Sequence, residues 1–183
     1  MTAPSLIQIE CWEADSPRLD EEIEMLGTVL HACVHAGASV SFVLPFSHAD
    51  AKVFWRSQVL PAVRSGVCRV LVARVEGRII GTVQLDLATP PNQPHRAEVR
   101  KLLVHPDARR RGIARALMIE LERQARELRR SLLTLDTVTD GFAEPLYLSL
   151  GYVKVGVIPR YAVRPDSPEL DATTIMYKEL DLH

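Results

Sequence analysis

The sequence predicts a mixed α/β fold: a seven-stranded, mostly antiparallel sheet with a central parallel βαβ unit. Three observations carry this. "RAEVRKLLV" (96–104), a helical stretch over 112–130 and "LLTLDTV" (132–138) follow one another at the spacing of a right-handed βαβ crossover, which makes the two strands parallel. "CRVLVARVEGRIIGTVQLDLA" (68–88) reads as two β-rich runs joined at Glu76-Gly77, a hairpin signal. Further strand-like runs lie outside this block at 6–13, 152–158 and 172–179.

Taken in order, "LIQIECWE" (6–13) alternates apolar and polar residues, as a half-buried strand does. Leu19, Ile23, Leu26, Leu30, Cys33 and Val34 recur at helical spacing, predicting a helix over 19–35 that ends near Gly37. "ASVSFVLPF" (38–46) is too short and mixed to assign. Ser47 and Asp50 form a capping box, with Asp in place of the usual Glu, for a helix through about Val63 whose last turn Pro61 should bend or end. "TPPNQPH" (89–95) is a loop, and His105-Pro106 stops the strand at 96–104. Ile113, Leu117, Leu121 and Leu128 share one face of the helix over 112–130. A short helix is expected at about 142–150, with a loop over 159–171 between the last two strands.

At 183 residues, with no linker, repeat or low-complexity tract, residues 1–183 are expected to form a single domain. The 47% hydrophobic content excludes a disordered chain, and a net charge of −1 gives no global attraction to nucleic acid or acidic membrane. Cys11, Cys33 and Cys68 are widely scattered and lack zinc spacing, so buried free thiols are expected, with no metal site or disulfide framework. No segment has the length of a membrane span or the layout of a signal peptide. A soluble cytoplasmic protein follows as the default, with no nucleic-acid or membrane partner.

One local feature runs against helix electrostatics. Arg109, Arg110 and Arg111 lead into Gly112, where a helix begins, and Arg115 follows within its first turn. Cations there oppose the helix dipole, at a cost of about 0.3–1 kcal/mol each at low salt. A loop between a strand's C-terminal end and a helix N-terminus is a common anion site, and guanidiniums fit there when the ligand is multiply negative. Gly112 and Ala114 present no bulky side chain to keep an anion from the backbone. Neither a Walker loop nor a G-x-G-x-x-G fingerprint is present. Spacing alone therefore stops at an anion site, or at a solvated basic loop.

"VRKLLVHPDARRRGIARALM" (99–118) resembles the acetyl-CoA-binding segment of the GNAT N-acetyltransferases. Their [Q/R]-x-x-G-x-[G/A] motif is matched by Arg109, Arg110, Arg111, Gly112, Ile113 and Ala114. "AEPLYLSLGYVKVG" (143–156) resembles the family's later A-x-x-[FL]-Y-x-x-x-G-[FY] segment. "HAGASVSF" (35–42), "RAEVRKLLV", "LLTLDT" (132–137) and "GYVKVGVIPRYAVRPD" (151–166) are similar to the tabtoxin-resistance branch of the family, which acts on a small amino-acid-like toxin.

The resemblance implies the GNAT fold, acetyl-CoA as co-substrate and a small-molecule amine as acceptor, in a monomer or homodimer. The backbone of Leu102, Leu103 and Val104 would hold the pantetheine arm, one N–H polarising the thioester carbonyl. The amides from Arg110 to Arg115 would hold the pyrophosphate. Glu98 and Asp136, carboxylates in otherwise apolar neighbouring strands, are the candidate bases; the alternative for Glu98 is an ion pair with Arg100, two residues on along the same face. Tyr147 would protonate the departing thiolate. Ser39, Ser41 and Tyr161 lie in the stretches that the resemblance assigns to the acceptor. Acetylation of a protein or peptide, and a non-catalytic acyl-CoA-binding module, are the competing readings.

Overall fold

A computed structural model describes residues 6–182. Its elements are β1 (Gln8–Cys11), α1 (Leu19–His35), α2 (His48–Phe54), α3 (Leu60–Arg64), β2 (Cys68–Val75), β3 (Arg78–Asp86), β4 (Arg96–Val104), α4 (Ile113–Glu127), β5 (Leu132–Val138), α5 (Glu144–Ser149), β6 (Val153–Val163) and β7 (Leu170–Glu179). All seven strands form one sheet in the order β1-β2-β3-β4-β5-β7-β6, antiparallel except for β4 beside β5. The mixed sheet with a central parallel pair is the one expected from the sequence.

The local signals act as their chemistry dictates. Glu76 and Gly77 both have positive φ, 50° and 78°, as a two-residue hairpin turn of the type matching strand twist requires. The Ser47 hydroxyl accepts from the Asp50 amide, while the Asp50 carboxylate accepts from the Ser47 amide at 2.8 Å. Pro61 neither ends nor sharply breaks its helix. A π turn over Trp55–Val59 precedes it, with the Leu60 amide donating to the Trp55 carbonyl. Widening the helix just before the ring is how a chain accommodates a proline that lacks an N–H and crowds the preceding turn.

β6 is longer than expected, and Tyr161 lies on it rather than in a loop. Pro159 masks the strand, since proline cannot join a ladder from a central position. β6 is the outermost strand, however, and its pairing with β7 is irregular between Ile158 and Ala162, where Arg160 has φ 54°.

Two apolar clusters sandwich the sheet. One gathers α1, α2 and α3, with Ile23, Leu26, Leu30, Phe54 and Trp55 buried; the other gathers α4, with Ile113, Leu117, Met118 and Leu121 buried. β4 contributes to both, through a bulge. Thr82 pairs with Leu103 but Gln84 with Arg100, so Val83 faces two residues, Lys101 and Leu102, and Lys101 takes φ 52°. Ala97 and Val99 accordingly join the α4 cluster, whereas Leu103 joins the α1 cluster.

Cys33 and Cys68 are buried free thiols, while Cys11 is partly exposed. Burial pushes the Cys68 thiol up to about 12, so it stays protonated and inert. Among the described residues, no helix is long and apolar enough to cross a membrane.

Gly81 sets how closely α4 lies on the sheet. A Cβ there would sit 3.0 Å from the Leu103 carbonyl oxygen, 3.2 Å from Ile113 Cγ2 and 3.3 Å from Leu117 Cδ1. Gly81→Val is expected to destabilise the protein by about 1–3 kcal/mol through overpacking. Urea unfolding of the two proteins measures this, and an unchanged midpoint would show that α4 can retreat without cost.

Candidate functional site

The ladder between β4 and β5 holds only at Arg96–Leu132, Ala97–Leu133 and Glu98–Thr134. Beyond it the strands part: β5 remains paired with β7 through Val138, while β4 runs on to Val104 beside β3 alone. The result is a cleft between parallel strands, opening toward the loop that begins α4. Leu102, Leu103 and Val104 form its β4 edge. Leu103 is buried and its two neighbours half-buried, so their side chains are packing residues, as expected. The Val104 carbonyl already accepts from the Cys33 thiol and from Arg109 Nε, each at 3.3 Å.

The loop after β4 folds back tightly. A 3₁₀ turn over Pro106–Ala108 is capped by His105, and Arg110 and Gly112 both take positive φ, 61° and 79°. Gly112 is the N-cap of α4, and no side chain caps the helix. The first-turn amides, including those of Ile113, Ala114 and Arg115, therefore present donors toward a ligand, as an anion site requires. A Cβ on Gly112 would meet nothing within 4 Å, so it is the left-handed backbone that calls for glycine in the free protein.

The four arginine side chains do not act together. Arg109 turns back to Val104, and Arg115 donates to Ser149 Oγ on α5 at 2.6 Å, tying the two helices. Only Arg110 and Arg111 are exposed and without a side-chain partner among the described residues. A concavity lined by Val104, Ala108, Arg110, Gly112, Ala114 and Leu146 joins this loop to α5.

Glu98 and Asp136 lie on one face of their strands, the face opposite α4, since Ala97, Val99, Leu133 and Leu135 fill the α4 cluster. Arg100 does not pair with Glu98. It donates to Asp86 at 2.8 Å, and that hydrogen bond is the main cause raising its pKa. Glu98 thus has no hydrogen-bond or ion-pair partner among the described residues, and Asp136 accepts only from Thr173 Oγ1, at 3.0 Å.

Tyr147 lies on α5, within the apolar cluster on the α4 side of the sheet. Its ring is 6% exposed and meets Tyr152 edge-on at 5.6 Å. Burial, then the nearby charge of Asp136, raises its pKa above the usual phenol range. It therefore holds its proton at neutral pH. α5 is fixed one turn earlier by Glu144, which accepts from the Asp140 amide (3.0 Å), Lys154 Nζ (3.0 Å) and Thr174 Oγ1 (3.1 Å). The Lys154 bond is the main reason the Glu144 carboxyl sits below its ordinary range.

Of the three residues expected on the acceptor side, Ser41 contacts β4: its hydroxyl accepts from Lys101 Nζ at 3.1 Å. Ser39 lies in the same loop, half-buried and without a side-chain hydrogen bond among the described residues. Tyr161 is 54% exposed on β6, and no hydrogen bond or ring contact joins it to Ser39 or Ser41. The two segments are linked nearby, where the Leu44 amide donates to the Pro165 carbonyl at 2.8 Å. Lys101 went unnoticed in the sequence. A lysine within the apolar run "VRKLLV" was the available signal.

The yncA protein of Salmonella typhimurium, solved with its cofactor acetyl-CoA, superposes with a TM-score of 0.76 at 17% identity, over 97% of this chain and 95% of that one. The ribosomal-protein-alanine N-acetyltransferase of Brucella melitensis gives 0.76 at 21% identity, over 94% and 99%. A candidate phosphinothricin N-acetyltransferase gives 0.74 at 17%, over 96% and 99%. At these identities the likenesses show the fold. The model of the acetyltransferase (GNAT) family matches residues 34–152, well over half of the 183-residue chain, and spans the cleft, the arginine loop and α5. The chain belongs to the acetyltransferase (GNAT) family.

Proposed function

We propose that this protein is an acetyl-CoA-dependent N-acetyltransferase that moves an acetyl group to the primary amine of a small molecule, by direct attack within a ternary complex. The observation that carries the reading is the cleft itself. An unpaired strand edge, an uncapped helix N-terminus and two carboxylates with vacant acceptor positions converge there. The edge of β4 suits an extended amide-bearing arm, which would add to the sheet as a strand does. The amides at 112–115, with Arg110 and Arg111, suit a pyrophosphate. Bound there, acetyl-CoA supplies an activated thioester. The loop over 36–47 is tied to the turn between β6 and β7 through the Leu44 amide and the Pro165 carbonyl. The similarity of 35–42 and 151–166 to the tabtoxin-resistance branch supports a small-molecule acceptor.

A primary amine has a pKa near 10.4, so roughly one molecule in a thousand is neutral near pH 7.4. Glu98 and Asp136 would take the proton, directly or through water, before the amine attacks. An N–H of Leu103 or Val104 would stabilise the developing oxyanion. Tyr147, kept protonated by burial, would return a proton to the leaving thiolate.

Glu98→Gln and Asp136→Asn are each expected to lower kcat by about 10²–10⁴ with acetyl-CoA affinity retained, and Tyr147→Phe to lower it less. Rates followed against pH with a thiol dye check this. Wild-type rates and an unshifted acidic limb in both carboxylate variants would place the base elsewhere.

Gly112→Val should weaken acetyl-CoA binding by about tenfold or more, because a β-branched residue cannot hold φ 79° without strain. Arg110→Ala should weaken it less. Calorimetry on folded variants measures both, and full affinity in Gly112→Val would remove the pyrophosphate loop from the site.

A further inference from the structure

Of the three cations of β4, only Arg100 has a carboxylate partner among the described residues. Arg96 donates to Gln93 and Thr134, and Arg100 is paired with Asp86, but no ion pair reaches Lys101 among the described residues. The bulge at Lys101–Leu102 turns it off the α4 face, where strand alternation would have put it with Val99, and toward the loop over 38–46. There its ammonium lies 5.7 Å from the Phe42 ring centre and 5.8 Å from that of Phe54, and it donates to Ser41 Oγ at 3.1 Å. An ammonium has three N–H donors, and only one is used. Ser41 itself is held at φ 77°, a conformation a serine rarely adopts.

Resting on the acetyltransferase reading above, we propose that Lys101 and Ser41 form the anion-recognition half of the acceptor site, and that the acceptor is an amine that also carries a carboxylate. The carboxylate would be taken by Lys101 Nζ and the Ser41 hydroxyl, with Phe42 and Phe54 beneath the intervening carbons. That pose directs the amine along the same face toward Glu98 and Asp136, whose charges both act on Lys101. A cation at one end and a pair of anions at the other match an amino-acid-like zwitterion. They select against simple amines, which leave Lys101 unpaired, and against polycations, which it repels.

Burial, followed by repulsion from Arg100, pushes Lys101 down to about 8. Carboxylate recognition needs the ammonium form, so kcat/KM for an anionic acceptor should fall as pH rises through that value. Arginine stays charged throughout, so Lys101→Arg should not show that loss.

The test uses the common amino acids, each against its own carboxamide, at saturating acetyl-CoA, with acetyl-CoA affinity measured calorimetrically in the same proteins. The wild type is expected to prefer at least one acid over its amide by about tenfold or more. That preference should collapse in Lys101→Met through KM, weaken in Ser41→Ala and persist in Lys101→Arg. Equal use of acids and amides, a preference surviving in Lys101→Met, or acetylation of Lys101 itself seen by mass spectrometry would overturn the proposal. So would acetyl-CoA binding without turnover of any acid. Failure to bind acetyl-CoA would instead overturn the acetyltransferase reading, and this proposal with it.

Discussion

A parallel strand pair shares backbone hydrogen bonds along its length, and here that sharing stops after Glu98–Thr134. Every N–H and C=O left behind must find another partner, because a buried polar group without one costs about 1–3 kcal/mol. β5 stays paired with β7 and β4 with β3, each on its far side only, so both strands present an open edge to the gap. The facing edge of β4 is therefore stable only beside water or a ligand with matching donors and acceptors. A gap of this kind is a structural liability in a sheet and a binding edge in an acyltransferase. The first turn of α4, the α5 helix and the loop over 36–47 are all arranged around it.

The bulge in β4 does for side chains what the parting of the strands does for backbone. It adds a residue opposite Val83, so Leu103 packs toward α1 while Ala97 and Val99 pack toward α4. The same extra residue frees Lys101 from the apolar face and delivers it to Ser41 and the Phe42–Phe54 pair. Along β4, Glu98 comes first, Lys101 follows at the bulge, and the arginine loop lies beyond the strand's C-terminal end. The arginine side chains are divided rather than massed. Two serve the fold, Arg109 on Val104 and Arg115 on Ser149, and Arg110 and Arg111 have no side-chain partner among the described residues.

α5 is held by a polar network as well as by the apolar packing of Tyr147. Glu144 gathers the Asp140 amide, Lys154 and Thr174, so the helix that carries Tyr147 is pinned to β6, β7 and the preceding loop at once. A fully satisfied buried carboxylate of this sort specifies one geometry. Such a fixed geometry would serve the proton-donor role proposed for Tyr147.

Whatever depended on local chemistry could be read along the chain. The Glu76-Gly77 turn, the Ser47–Asp50 capping box, the periodicity of α1 and α4 and the glycine that starts α4 are all fixed within a few residues of where they act. The order of strands around the βαβ unit follows from how short connections and right-handed crossovers limit topology. Glu98, Asp136 and Tyr147 could be named because carboxylates stand out in apolar strands and because the segment around Tyr147 resembles a known one.

Only the tertiary structure decided how long β6 is, because Pro159 is tolerated solely on an edge. Only it decided that Arg100 belongs to Asp86 and not to Glu98, since the partner lies on a different strand. Lys101 shows the limit most clearly. Strict alternation would bury it against α4 with Val99, and nothing in "VRKLLV" announces a bulge, because a bulge is set by the register of β3 against β4 and not by either strand alone.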